Sequence, residues 1–171
     1  NIANQLEADD QMPRILVNNA GLAALGCALD LPIEAWQKVI DVDLWGVIHG
    51  CREFVPRMLA SDKRCAVVNV ASCAAYLGGP LSAPYFIAKA GVMRLTQSFQ
   101  TEIDPRRVSF TVVCPGAVET GIGQPSAKLG GRAKETATVV DWLAPPGRSP
   151  ATVAKRAVAG ALKGKAVVNV F

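Results

Sequence analysis

Tyr85 and Lys89 stand four residues apart, a spacing that puts both side chains on one face of a helix. Taken alone, Y-x-x-x-K is common, and a solvated surface pair has the same spacing. Three other places are polar where buried strand or plain loop would be expected. Asn18-Asn19-Ala20-Gly21 follows one apolar run, Ser72 follows a second and Pro115-Gly116 follows a third. In an open parallel sheet, ligands bind in the crevice beyond the carboxyl ends of the strands. Each of these segments could be ordinary turn chemistry, but their shared position points to one crevice. The single histidine, His49, excludes a two-histidine metal site and leaves one candidate for the base of a Ser-His-Asp triad. It lies beside the apolar stripe of a helix, where a packed or exposed helix histidine is the simpler reading. No metal site is expected. Gly21 and Gly26 have the spacing of a phosphate-binding loop, but Cys27-Ala28 stands where Lys-Ser/Thr is required. Cys73, next to Ser72, has no basic cluster or helix start to activate it.

The elements that must position these residues alternate. Ile15–Val17, Ala66–Val70, Val108–Val113 and Ala166–Val170 are continuous rather than alternating apolar runs, as in parallel strands buried on both faces. Between them lie helical patterns. One starts at Pro32 and continues through Trp36, Val39 and Ile40. A second, from about residue 43 to 60, carries Leu44, Val47, Ile48, Cys51, Val55, Met58 and Leu59 on one face, with Pro56 expected to bend it. A third spans about 83–103 and a fourth about 151–162. Strand–helix alternation predicts an α/β fold with crossover connections. Residues 121–150 lose the pattern and read as a substrate loop or an irregular insertion. The apolar pair Trp142-Leu143 within them hints at an apolar substrate.

Composition removes several classes of function. Half of the 171 residues are hydrophobic and 19% are charged, which suits one globular domain. The net charge of +4 comes from scattered residues, which gives little support to nucleic-acid binding. The longest uncharged stretch, 65–88, is broken by Asn69, Ser72, Gly78, Gly79 and two prolines, so no membrane span is expected. Five cysteines without C-x-x-C spacing argue against a disulfide framework and for a reducing, cytoplasmic setting.

N-N-A-G at 18–21, Ser72 thirteen residues before Tyr85, Y-x-x-x-K at 85–89 and P-G-x-x-x-T at 115–120 occur in one order. In this the sequence resembles the short-chain dehydrogenase/reductase family, well over about 14–120 and loosely beyond. The resemblance implies a partial Rossmann-like, doubly wound parallel sheet of about four strands. It implies hydride transfer between NAD or NADP and a small-molecule carbonyl or alcohol substrate. Tyr85 would then be the general acid/base, with Lys89 lowering its pKa by roughly 1–3 units from about 10 and also holding the nicotinamide ribose. Ser72 would polarise the substrate oxygen. Asn18, Ala20, Gly21, Pro115, Gly116, Val118 and Thr120 would line the cofactor together with Tyr85 and Lys89. Family members usually self-associate through the helices matching 43–60 and 83–103, which implies a homodimer or homotetramer when full length.

Two departures from the family pattern stand out. In Val42-Asp43-Leu44-Trp45-Gly46, Asp43 occupies the place where the family commonly has asparagine. If ionised near Lys89, it would offset part of the lysine's effect on Tyr85; it could equally serve in the proton relay, as a further catalytic group. A shifted pH dependence is expected, read by comparison with Asp43→Asn. Secondly, no G-x-G-x-x-G turn occurs in the 171 residues. The expectation is therefore an N-terminally truncated, incomplete domain over 1–171, with its first strand an unpaired edge and its cofactor affinity impaired. The alternative is a catalytically inactive fragment or binding scaffold of the same fold. An upstream reading frame encoding the glycine turn would favour the enzyme.

Overall fold

The computed structural model describes residues 2–120, 122 and 147–171. Except for Ile122 and residues 147–150, the expected substrate loop at 121–150 lies outside the described residues. The chain begins with helix α1 (Ile2–Ala8), then strand β1 (Ile15–Asn18) and helix α2 (Ile33–Ile40). A five-residue π turn (Asp41–Trp45) leads into α3 (Gly46–Ala60) and β2 (Cys65–Val70). A short 3₁₀ turn (Cys73–Ala75) precedes α4 (Ala83–Glu102) and β3 (Val108–Pro115). Helix α5 (Pro150–Leu162) and β4 (Val167–Val170) follow.

The strands form one parallel sheet in the order β1-β2-β3-β4. This is the α/β architecture expected from continuous β-branched runs. Successive residues of each strand serve opposite layers. Val67, Phe110, Val112 and Cys114 pack with Val47, Cys51, Val55 and Met58 of α3 and with Val92 and Met93 of α4. Val68, Val113, Val168 and Val170 face the other way, onto Ala157 and Ala161 of α5. Gly160 lets α5 approach β4 closely, since a Cβ there would lie 2.3 Å from Val168 Cγ2. A smaller core joins Ala35 and Val39 of α2 to Ala88 of α4. Among the described residues β1 pairs with β2 alone, and Val17 on it is half exposed.

The region from 33 to 60 differs from the sequence reading. Instead of two helices separated near residue 41, backbone angles stay right-handed from Ile40 through Gly46. The π turn fuses the two segments, because its wider loop absorbs the change in apolar spacing. Pro56 sits inside α3, and the helix continues past it to Ala60.

Candidate active site

Register brings the strand ends level. Asn18 of β1 is opposite Asn69 of β2, Val70 is opposite Val113, and Pro115 is opposite Val170. Beyond these ends opens a cavity of about 940 Å³ lined by Ala20, Gly21, Ser72, Tyr85, Lys89, Pro115, Gly116, Val118 and Thr120. Eight of the nine residues expected to line a cofactor, and Ser72, thus meet in one place. Asn19 and Leu22 also line it, although the sequence reading passed over them.

Asn18, expected among the cofactor-lining residues, is the one of the nine that does not line this cavity. Its side chain turns inward, donating to Asn69 Oδ1 at 2.8 Å. Asn69 in turn donates to Thr96 Oγ1 at 3.0 Å, and Thr96 donates to the Val92 carbonyl at 2.7 Å. Buried amides need such partners, and this chain ties β1 and β2 to α4. Gly50 makes room for it, since a Cβ there would come within 2.3 Å of Asn18 Oδ1.

Ser72 is extended, at φ −168° and ψ 165°, and caps the 3₁₀ turn by accepting from the Ala74 N–H at 3.2 Å. One acceptor site is used, and the hydroxyl donates a long contact to Cys73 Sγ at 3.9 Å. Tyr85 begins the first turns of α4. Lys89, one turn later, places its Nζ 5.6 Å from the Tyr85 ring centroid. The ammonium donates to the Val70 carbonyl at 3.2 Å and meets Asp43 Oδ2 at 3.1 Å.

Asp43 comes from the π turn and is fully buried. It does not line the cavity itself but touches three residues that do, Gly21, Leu22 and Lys89. Its Oδ1 accepts from the Leu22 N–H at 2.8 Å, which anchors the loop after β1. Its Oδ2 pairs with the ammonium without hydrogen-bond alignment and has no hydrogen-bond partner. Gly21 is packed against this pair: a Cβ on it would lie 3.1 Å from Oδ2 and 3.2 Å from Nζ. Asp43 and Lys89 are the two buried charged side chains among the described residues.

The expected acidification of Tyr85 is reversed. Its pKa is pushed up to about 12, chiefly because burial disfavours the phenolate. Hydrogen bonding from Ser72 pulls it down, while the charges of Asp43 and Cys73 push it up further. The lysine meant to oppose this push is itself paired with a carboxylate 3.1 Å away, which weakens its field beyond the pair. His49 is exposed, stacks on Trp45 at 5.6 Å and lies outside the cavity lining, so it is no triad base for this cavity. No group of three metal-ligating side chains occurs among the described residues. No helix there is long and apolar enough to cross a membrane.

A family model described as short chain dehydrogenase matches residues 4–129. The chain belongs to this family. This short-chain dehydrogenase chain is similar to a Mycobacterium tuberculosis protein named "Probable oxidoreductase EphD", 36% identical over 120 residues, covering 70% of this chain and 20% of that protein. It is also 36% identical over 129 residues to a 3-oxoacyl-(acyl-carrier-protein) reductase of Synechocystis, covering 70% of this chain and 52% of the relative. The chain therefore spans about half or less of these curated relatives. A short chain dehydrogenase/reductase from Burkholderia phymatum, solved in complex with NAD, superposes with a TM-score of 0.86 at 27% identity, covering 98% of this chain and 64% of that one.

Proposed function

We propose that this chain carries the catalytic half of an NAD(P)-dependent oxidoreductase acting on a carbonyl or alcohol. The observation that carries the reading is the convergence of the Tyr85 phenol, the Ser72 hydroxyl and the Lys89 ammonium on one cavity at the ends of β1, β2 and β3. Family membership and the NAD complex of the Burkholderia relative support it.

The residues present fit the nicotinamide end of such a cofactor. Gly21 lines the cavity while its backbone packs on the only buried ammonium among the described residues, a closeness that a side chain would crowd. Ala20, Gly21 and Gly116 let a flat ring and a sugar approach the backbone. Pro115, Val118 and Thr120 would close the opposite side, with Lys89 and Tyr85 meeting the ribose. When bound, the nicotinamide supplies or accepts the hydride. Tyr85 gives its hydroxyl proton to the substrate oxygen in reduction and takes it back in oxidation. Ser72 would turn its hydroxyl proton from the long Cys73 Sγ contact to the same oxygen and so orient it. Asn18 braces the strand ends that carry these groups.

The test is turnover by the protein made from the whole reading frame. It is expected to consume NADH or NADPH when offered a panel of ketones and aldehydes. Consumption of neither nucleotide with any of them would overturn the reading.

The 171 residues themselves contain no G-x-G-x-x-G turn to receive a pyrophosphate. The isolated chain is accordingly expected to bind dinucleotide weakly. Fluorescence titration with NADH and NADPH checks this, and micromolar affinity would contradict it. Self-association through α3 and α4 belongs to the same proposal; it is consistent with the exposure of Trp45, in the π turn just before α3, and of Ile87 on α4.

A further inference from the structure

We propose that Asp43 is a positioning residue, a fixed counter-charge behind Lys89 that cancels the lysine's field at Tyr85 and leaves the phenol in its proton-donating form, suited to carbonyl reduction. This rests on the reading of Tyr85 as the group that exchanges the substrate proton.

The geometry carries the inference. The carboxylate is fully buried, the lysine side chain is 3% exposed, and the two charges are 3.1 Å apart. Both charges are largely removed from water, so the pair acts on its neighbours as a dipole rather than as a lone cation. The pair is held from several directions. Leu22 N–H fixes Oδ1, the Val70 carbonyl fixes the ammonium, and Gly21 packs against both charges. An asparagine at this position would keep the size and the Leu22 contact but lose the negative charge. Lys89 would then face Tyr85 as an uncompensated cation, which favours the phenolate.

The groups facing the phenol can be enumerated among the described residues. Lys89 comes from its own helix, Asp43 from the π turn, and Ser72 and Cys73 from the turn after β2. Cys73 stands on the same side of the balance as Asp43, so removing Asp43 alone leaves part of the upward push in place.

The chain has two tyrosines, Tyr76 and Tyr85, which makes the test direct. In the protein from the whole reading frame, labelled with ¹³C at the tyrosine ζ carbons, the Tyr85 and Tyr76 resonances are assigned with Tyr85→Phe and Tyr76→Phe, and their shifts are followed against pH. Tyr76, which donates to Asn169 Oδ1 at 2.9 Å, serves as the internal control. In the native protein Tyr85 is expected to stay protonated to near pH 12. In Asp43→Asn its midpoint is expected to fall by about one to three units, with Tyr76 unmoved. An unchanged Tyr85 midpoint, or an equal movement of both tyrosines, would overturn the proposal. The native protein alone provides a second check that does not depend on folding of the variant. A Tyr85 midpoint at or below the ordinary value of about 10 would also overturn it. Tyr85→Phe turnover tests the underlying catalytic reading separately, and its outcome does not move this titration.

Discussion

Lys89→Met is expected to destabilise the fold by about 3–5 kcal/mol, because removing one partner of a buried ion pair strands the other. Methionine replaces the lysine stem with an unbranched apolar chain, so packing is largely preserved and charge is the main loss. The stranded group would be Asp43, with no exposed surface and one hydrogen bond, from Leu22 N–H to Oδ1. Its other oxygen has no aligned donor even in the native protein. The double variant Asp43→Asn/Lys89→Met is expected to recover most of the loss, since both charges then disappear together. Urea unfolding midpoints of the two single variants and the double variant give the coupling directly. A Lys89→Met protein within about 0.5 kcal/mol of the native one, the range of ordinary surface changes, would show that the pair contributes little.

Tyr85→Phe is expected to lower kcat by about 10²–10⁴-fold in the protein from the whole reading frame, the usual share of a positioned acid/base. By the rate–barrier relation this corresponds to roughly 3–5 kcal/mol of transition-state stabilisation. The ring, its packing against Ala88's core and the Lys89 contact are retained; only the hydroxyl is lost. KM should therefore change little while kcat falls, the pattern of an interaction made in the transition state. Turnover within tenfold of the native rate would place the proton donor elsewhere.

The strands were legible because buried parallel strands leave continuous β-branched runs such as Ala66–Val70 and Val108–Val113, and their ends could be aligned by eye. The meeting of Ser72, Tyr85, Lys89 and Gly116 followed from that alignment and from the four-residue helical spacing. What was not legible depends on three-dimensional direction. Asn18 turns inward because Gly50 leaves space and Asn69 offers an acceptor, two facts remote in sequence. The sign of the field at Tyr85 depends on whether Asp43 lies 3.1 Å from Lys89 or several ångströms farther, and composition does not encode that distance. The π turn was hidden because the apolar residues on either side of it each fit an ordinary helix.

Along the rod from Ile33 to Ala60, enclosed residues recur at every fourth position: 35, 39, 43, 47, 51 and 55. In an α-helix such a series creeps sideways by about 40° per step, because four residues overshoot a 3.6-residue turn. The broader winding at Asp41–Trp45 takes back part of that creep, so one unbroken rod can dock on α4 with its first half and on the sheet with its second. The sole ionised member of the series falls where the winding changes. Shortening the rod by one residue there would swing the carboxylate away from its cation and spare both oily flanks, so the local pitch of a helix decides whether that ammonium keeps its counter-charge.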